Sequence, residues 1–166
     1  MLPLPQKFDL NEWCLLICII LAFTIFFWLP KRYPFSITIL LLLFGPTVAR
    51  LMDHLLAFAK LDLYNLMDGP KFELFDLFTY LLYAPFSYFF IYFYDRWNIR
   101  GYWIVVYILL FSSGGAFFEW ILKVCHIFLY KGWILGYSFN VYFVIQTVEL
   151  LFYYTVRRAY MSLTIK

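Results

Sequence analysis

Long apolar runs without period-two alternation dominate the chain, as in Leu15-Leu16-Ile17-Cys18-Ile19-Ile20-Leu21 and Leu40-Leu41-Leu42-Leu43-Phe44. A membrane β-barrel would alternate apolar and polar positions, so the runs predict helices. Five stretches, approximately residues 12–29, 35–59, 72–94, 102–129 and 137–156, reach the ~20 apolar residues that cross a bilayer core of about 30 Å. The pattern predicts an all-α, polytopic integral membrane protein of about five transmembrane helices, with residues 1–166 forming one domain. Pro3, Pro5, Pro30 and Pro34 punctuate the first helix, and Gly69-Pro70 and Lys131-Gly132-Trp133 mark later turns. The first stretch is expected to stay attached: Asp9 and Glu12 accompany a single Lys7, and Leu29-Pro30-Lys31-Arg32 is no small-residue cleavage site. No internal repeat, low-complexity tail or domain linker interrupts the pattern.

Composition turns this pattern into a statement about solvent. Hydrophobic residues make up 65% of the chain, aromatic residues 25% and charged residues 14%, and mean hydropathy is +0.80. Soluble chains carry about 25% charged residues, and a core of this size cannot hide so much apolar surface from water. Membrane lipids are therefore the expected surroundings. A net charge of +3 from 13 basic and 10 acidic residues, without a basic patch, excludes nucleic acid as an expected partner. Cys14, Cys18 and Cys125 give no disulfide framework. They read as small apolar fillers, and no metal or other cofactor is expected.

With five spans, Lys7, Lys60, Lys71 and Lys131 share one side, and Lys31, Arg32, Arg96, Arg100, Arg157, Arg158 and Lys166 share the other. The richer side is expected to be cytoplasmic, with the N-terminus outside and the C-terminus inside. Trp13 and Trp133 then mark the outer interface, and Trp28, Trp97 and Trp103 the inner one.

Charged groups inside hydrocarbon are costly and carry a functional hypothesis by default. At 1.5 Å per residue, Arg50 lies about 22 Å into the second span and Glu119 about 26 Å into the fourth. With Asp53, His54, Asp76 and Lys123, they form a candidate polar cluster of six groups from three helices in the outer leaflet; Glu73 opens the third span beside Asp76. Arg50 with Asp53 and Glu119 with Lys123 have the spacing of pairs that neutralise themselves on their own helix. The cluster thus reads either as structural pairs that join helices or as an outward-facing ligand or ion cavity. Gln146 and Glu149 in the last span are secondary candidates; Glu149 has no sequence-local base and is expected to be protonated or paired across helices.

Gly45-Pro46, Pro85 and Ser112-Ser113-Gly114-Gly115 gather near mid-membrane. They suit either kinked, closely packed helices or a broken helix lining a substrate site. Asp53-His54 is no catalytic pair, because adjacent helical residues point in different directions. His-Glu-x-x-His, Gly-x-Ser-x-Gly and phosphate-loop motifs are absent from the sequence, so no catalytic residue is nominated.

Several short motifs, taken in order, resemble an uncharacterised family of small multi-span membrane proteins of endospore-forming Firmicutes. They are Lys31-Arg32-Tyr33-Pro34, Tyr83-Ala84-Pro85, Glu119-Trp120 and Tyr130-Lys131-Gly132-Trp133 with Ser138. The C-terminal Arg157-Arg158-Ala159-Tyr160 departs from that family's His- and Pro-containing ending. The resemblance implies a bacterial plasma-membrane location and a link to sporulation, and supplies no activity. Within these motifs Glu119 and Lys131 are expected to address the outer polar layer, with Trp120 and Trp133 fixing depth.

Three roles follow from these residues, the first as the leading reading and the other two as its alternatives. A structural or interaction component, with a membrane-protein partner or as a homo-oligomer, uses the large aromatic surfaces. A small carrier or ligand-binding protein uses the outward polar layer. An enzyme acting on lipid headgroups uses one of its carboxylates.

Overall fold

The computed structural model describes residues 8–57, 61–67 and 74–164. Lys7, Lys60, Gly69-Pro70, Lys71, Glu73 and Lys166 lie outside them. Five helices, α1 (Leu10–Trp28), α2 (Phe35–Leu56), α3 (Leu74–Arg96), α4 (Trp103–Val124) and α5 (Leu135–Thr164), carry almost the whole fold, with two three-residue strands, β1 (Tyr64–Leu66) and β2 (Phe128–Tyr130). All five helices are long and apolar enough to cross a membrane. The architecture is therefore all-α and polytopic.

Local chemistry sets the helix ends. Glu12 Oε2 accepts the Asp9 N–H at 2.8 Å, the carboxylate half of a capping box at the start of α1. The α3 and α4 helices both end in a Schellman motif. In α4, Ile127 N–H reaches Leu122 O at 2.9 Å and His126 N–H reaches Lys123 O at 3.0 Å, with His126 at φ 61°. In α3, Ile99 N–H reaches Tyr94 O and Asn98 N–H reaches Asp95 O, both at 3.3 Å, with Asn98 at φ 51°. This stop corrects the expected fourth span, which does not continue to 129: Ile127 is fully buried and residues 128–130 pair as a strand. At the other extreme, α5 runs on through Thr164, beyond the expected end at 156.

Strands β1 and β2 pair antiparallel, Tyr64 opposite Tyr130 and Leu66 opposite Phe128. The ribbon ties the α2–α3 connection to the α4–α5 connection, so both lie at one end of the bundle. Lys131, Gly132 and Trp133 all direct their N–H groups at Leu63 O, at 2.9, 3.0 and 3.2 Å, and Lys131 Nζ closes the end on Asp62 at 2.7 Å. The opposite end gathers on Asp95. Its Oδ2 accepts the Tyr153 hydroxyl at 2.8 Å, Arg157 stands 3.5 Å from Oδ1, and Arg32 donates to its backbone carbonyl at 3.1 Å.

Between these ends the helices divide into two groups. α3 packs against α1 and α2, and α4 packs along α5. Gly45 makes the α2–α3 contact possible, since a β-carbon there would lie 2.3 Å from the Tyr83 carbonyl oxygen. Pro46 and Pro85 both sit inside unbroken helices, as does Ser112-Ser113-Gly114-Gly115. The broken-helix alternative is therefore not what forms; Gly45 and Gly115 serve close packing, whereas Gly114 faces open space.

Candidate functional site

The interface of α4 and α5 is a polar ladder with helical spacing. Ser112 Oγ donates to Gln146 Oε1 at 2.9 Å, one turn from Gly115, whose missing side chain lets the Tyr142 ring approach. A turn further, Glu119 accepts three hydroxyls: Ser138 at 2.6 Å, Tyr142 at 2.7 Å and Tyr130. Trp133 Nε1 donates to Ser138 Oγ at 2.8 Å, so Ser138 passes the chain of donors from indole to carboxylate. Such a network satisfies a carboxylate without a cation.

That arrangement corrects two sequence expectations. Among the described residues Glu119 and Lys123 form no ion pair; the Lys123 ammonium stands 4.6 Å from the centroid of the Tyr130 ring, whose hydroxyl holds Glu119. Tyr130 thus separates the two charges while touching both. Lys131 likewise turns away from Glu119 to Asp62, and Trp120 is exposed and stacks on Phe117. Trp133 is half-buried in the network.

Of the six groups in the expected cluster, the acids turn inward and the bases outward. Asp53, Asp76 and Glu119 are buried; Arg50, His54 and Lys123 are exposed. Asp53 Oδ1 accepts the Tyr64 hydroxyl at 2.5 Å, and Arg50 donates to the Tyr80 hydroxyl at 3.1 Å. His54 points to the surface, as its place one residue after inward Asp53 dictates. Asp76, buried at the start of α3, stands apart from the cavity that Asp53 and Glu119 share.

This cavity, of about 700 Å³, lies between the α2–α3 and α4–α5 groups. Its walls are aromatic and aliphatic, including Phe44, Phe86, Phe90, Phe111 and Phe118, and its polar groups are Asp53, Tyr64, Tyr83, Ser87, Tyr107, Trp97, Glu119, Trp133, Ser138, Tyr142, Gln146 and Glu149. Three of them are acids, and no Lys, Arg or His is among the described lining residues. Consecutive helices α3 and α4 meet here through rings, Phe86 with Phe118, centroids 4.8 Å apart, and Phe90 with Phe111 and Tyr107 at 5.4 and 5.2 Å, and through the Tyr107 hydroxyl, which donates to Phe90 O at 2.5 Å. Phe86, Leu110 and Phe117 line the cavity and also face outward, 38%, 66% and 60% exposed. The cavity therefore opens sideways, between α3 and α4, toward the region lipid tails occupy.

Glu149 sits within this space, 4% exposed. Ser87 Oγ stands 2.5 Å from Glu149 Oε1 and 2.8 Å from Leu41 O. One hydroxyl proton cannot serve two acceptors. Both contacts are hydrogen bonds when the Glu149 carboxyl donates to Ser87 and Ser87 donates to Leu41 O. The expected partner of Glu149 is thus Ser87 on α3, a hydroxyl across the bundle. Glu149 Oε2 has no hydrogen bond among the described residues.

Sequence reasoning nominated Glu119, Asp53, Gln146 and Glu149, which line the cavity, but not the hydroxyls that hold them. Ser138, Tyr142, Gln146 and Glu149 recur every three or four residues, and that period was the available signal for one polar face. Tyr130 and Ser138 stood in a resemblance motif without a role, and nothing local marked Ser87 or Tyr64, whose partners lie on other elements.

Fold and site together define a polytopic helical membrane protein with an acid-lined intramembrane cavity. No family model, curated protein or solved structure matches the chain.

Proposed function

We propose that this protein is a small carrier or ligand-binding protein of a bacterial plasma membrane, which takes an amphiphilic molecule into the cavity from the bilayer. The observation that carries this reading is the 700 Å³ space open between α3 and α4, with apolar walls and a few convergent polar groups, the usual make-up of a small-molecule site. A pure scaffold has no use for unfilled interior of this size, which forfeits packing. The outward apolar faces that suit an interaction component are equally what lipid requires.

In the proposed orientation the end bearing Arg32, Arg96, Arg100, Arg157 and Arg158 is cytoplasmic, and the β1–β2 ribbon faces outside. Asp53 and Glu119 then lie at the outer end of the cavity. The resemblance described above adds a sporulation link to the proposal.

Native mass spectrometry of the chain, extracted gently from its own membranes, tests the reading. One amphiphile per chain is expected. A β-carbon at Gly114 meets open space, so Gly114→Leu is expected to fold, partly fill the cavity and lose that ligand. Isolation of the chain with only a protein partner or a second copy, and no bound amphiphile, would favour the interaction component instead.

A further inference from the structure

We infer that the molecule bound in the cavity is a lipophilic cation, its charge taken by Glu149 with release of the carboxyl proton. This rests on the ligand-binding reading above and names the chemistry of its ligand. Three observations carry it. First, Asp53, Glu119 and Glu149 line the cavity and no Lys, Arg or His does so among the described residues. Arg50 and Lys123 stand outside, over Tyr80 and Tyr130. An anionic amphiphile would meet carboxyl groups with no counter-charge inside, whereas a cation finds one.

Second, the walls are rich in rings. Phe44, Phe86, Phe90, Phe111, Phe118 and Tyr107 surround the space, and aromatic faces attract cations, more strongly when water is excluded. Apolar substituents on the same cation are accommodated by those rings, so one molecule satisfies both kinds of lining.

Third, the acids differ in what already holds them. Glu119 accepts three hydroxyls, and Asp53 accepts Tyr64 and has Tyr80 and the Arg50 guanidinium beside it. Glu149 has only Ser87, leaves Oε2 without a partner among the described residues, and is buried in the cavity wall. The groups that face it are Ser87 of α3, the Leu41 carbonyl of α2 and Tyr107 of α4; Gln146, one turn earlier on α5, is occupied by Ser112. None of them is a cation. With a proton on Glu149 the empty site is neutral there. When a cation enters between α3 and α4, the proton leaves to water, the carboxylate pairs with the cation, and Ser87 turns its hydroxyl from Leu41 O to the carboxylate. Charge at Glu149 balances throughout: one proton out for one cation in.

The test compares two ions of nearly equal size and shape and opposite charge. Tetraphenylphosphonium and tetraphenylborate are titrated onto the full chain in phosphatidylcholine nanodiscs, with empty nanodiscs as baseline, by calorimetry in a weak buffer. Saturable binding of one tetraphenylphosphonium per chain, at least tenfold tighter than tetraphenylborate, with about one proton released and at least tenfold weakening in Glu149→Gln, is the expected result. Equal binding of the two ions overturns the inference, as does a folded Glu149→Gln variant that binds tetraphenylphosphonium unchanged. Should Glu149→Gln fail to fold, the comparison of the two ions on the unaltered chain decides alone. Neutral 1-oleoylglycerol separates the two levels of the argument. If it binds one per chain while tetraphenylphosphonium does not, the cation is overturned and the cavity reading stands; if none of the three probes binds, both fall.

Discussion

Tyr64 donates its hydroxyl to Asp53 Oδ1 at 2.5 Å, joining strand β1 to the last turns of α2 through a neutral donor and a buried carboxyl. Across the ribbon its neighbour Tyr130 does the same for Glu119. Both phenols lie outside the spanning helices. Burial first, and then the adjoining carboxyl, pushes each of them above the usual tyrosine range. An unfolded tyrosine loses its proton near pH 10 (about 10), while these keep theirs. Their stabilising contribution is therefore complete below about pH 10 and is lost as pH rises toward their folded values. Unfolding in mixed micelles is expected to show flat stability up to that point and a decline above it. The double change Tyr64→Phe with Tyr130→Phe is expected to lower the plateau and flatten the decline.

Gly45→Ala is expected to destabilise the protein by about 1–3 kcal/mol, the cost of overpacking a close contact. The neighbour it meets is a backbone carbonyl at 2.3 Å, which cannot swing aside as a side chain would. Gly114→Ala, with nothing within 4 Å of its β-carbon, is expected to be neutral or slightly stabilising. Similar losses for both variants would contradict the packing argument.

Glu119→Ala leaves the Ser138, Tyr142 and Tyr130 hydroxyls without their acceptor, at a cost of about 1–3 kcal/mol for each one that stays buried and unpaired. Glu119→Gln keeps one oxygen for these donors, and its loss is expected to be smaller, about 1–2 kcal/mol. The ratio of the two losses, read from equilibrium unfolding, measures the network. If neither variant changed stability, Glu119 would not be the hub that the geometry makes it.

At the opposite end, Asp95 binds partners whose side chains are partly exposed: Arg32 at 38% and Arg157 at 48%. Water screens these pairs, so Asp95→Asn is expected to cost less than about 1 kcal/mol. That cost is expected to shrink further as salt is raised from 0.05 to 1 M (roughly a 14 Å to a 3 Å screening length). A larger, salt-independent loss would instead assign the role of Asp95 to its bond with Tyr153.

Much of the architecture was legible along the chain because its cause is local. Uninterrupted apolar runs require helices in lipid, and their lengths counted five. The boundaries went astray where the cause was not local. His126 stops α4 by taking a left-handed conformation, and that depends on Ile127 finding a buried place and on the β1–β2 pairing. The carboxyl groups of the site were legible too, since a charge in hydrocarbon announces itself. Their partners were not: the spacing of Glu119 and Lys123 permits an ion pair, but Tyr130, brought back by the ribbon, stands against both.

By itself, then, the sequence determined the helical class, the number of spans and the burial of Asp53, Asp76, Glu119 and Glu149, because hydrocarbon leaves the backbone and the charges few alternatives; it did not mark Glu12, wholly buried at the start of α1. Only the tertiary structure decided that acids face in while Arg50, His54 and Lys123 face out, that Ser87 answers Glu149, and that a cavity opens between α3 and α4. Those outcomes depend on contacts between residues as far apart as Leu41, Ser87 and Glu149, whose proximity is set by helix packing rather than by any spacing along the chain.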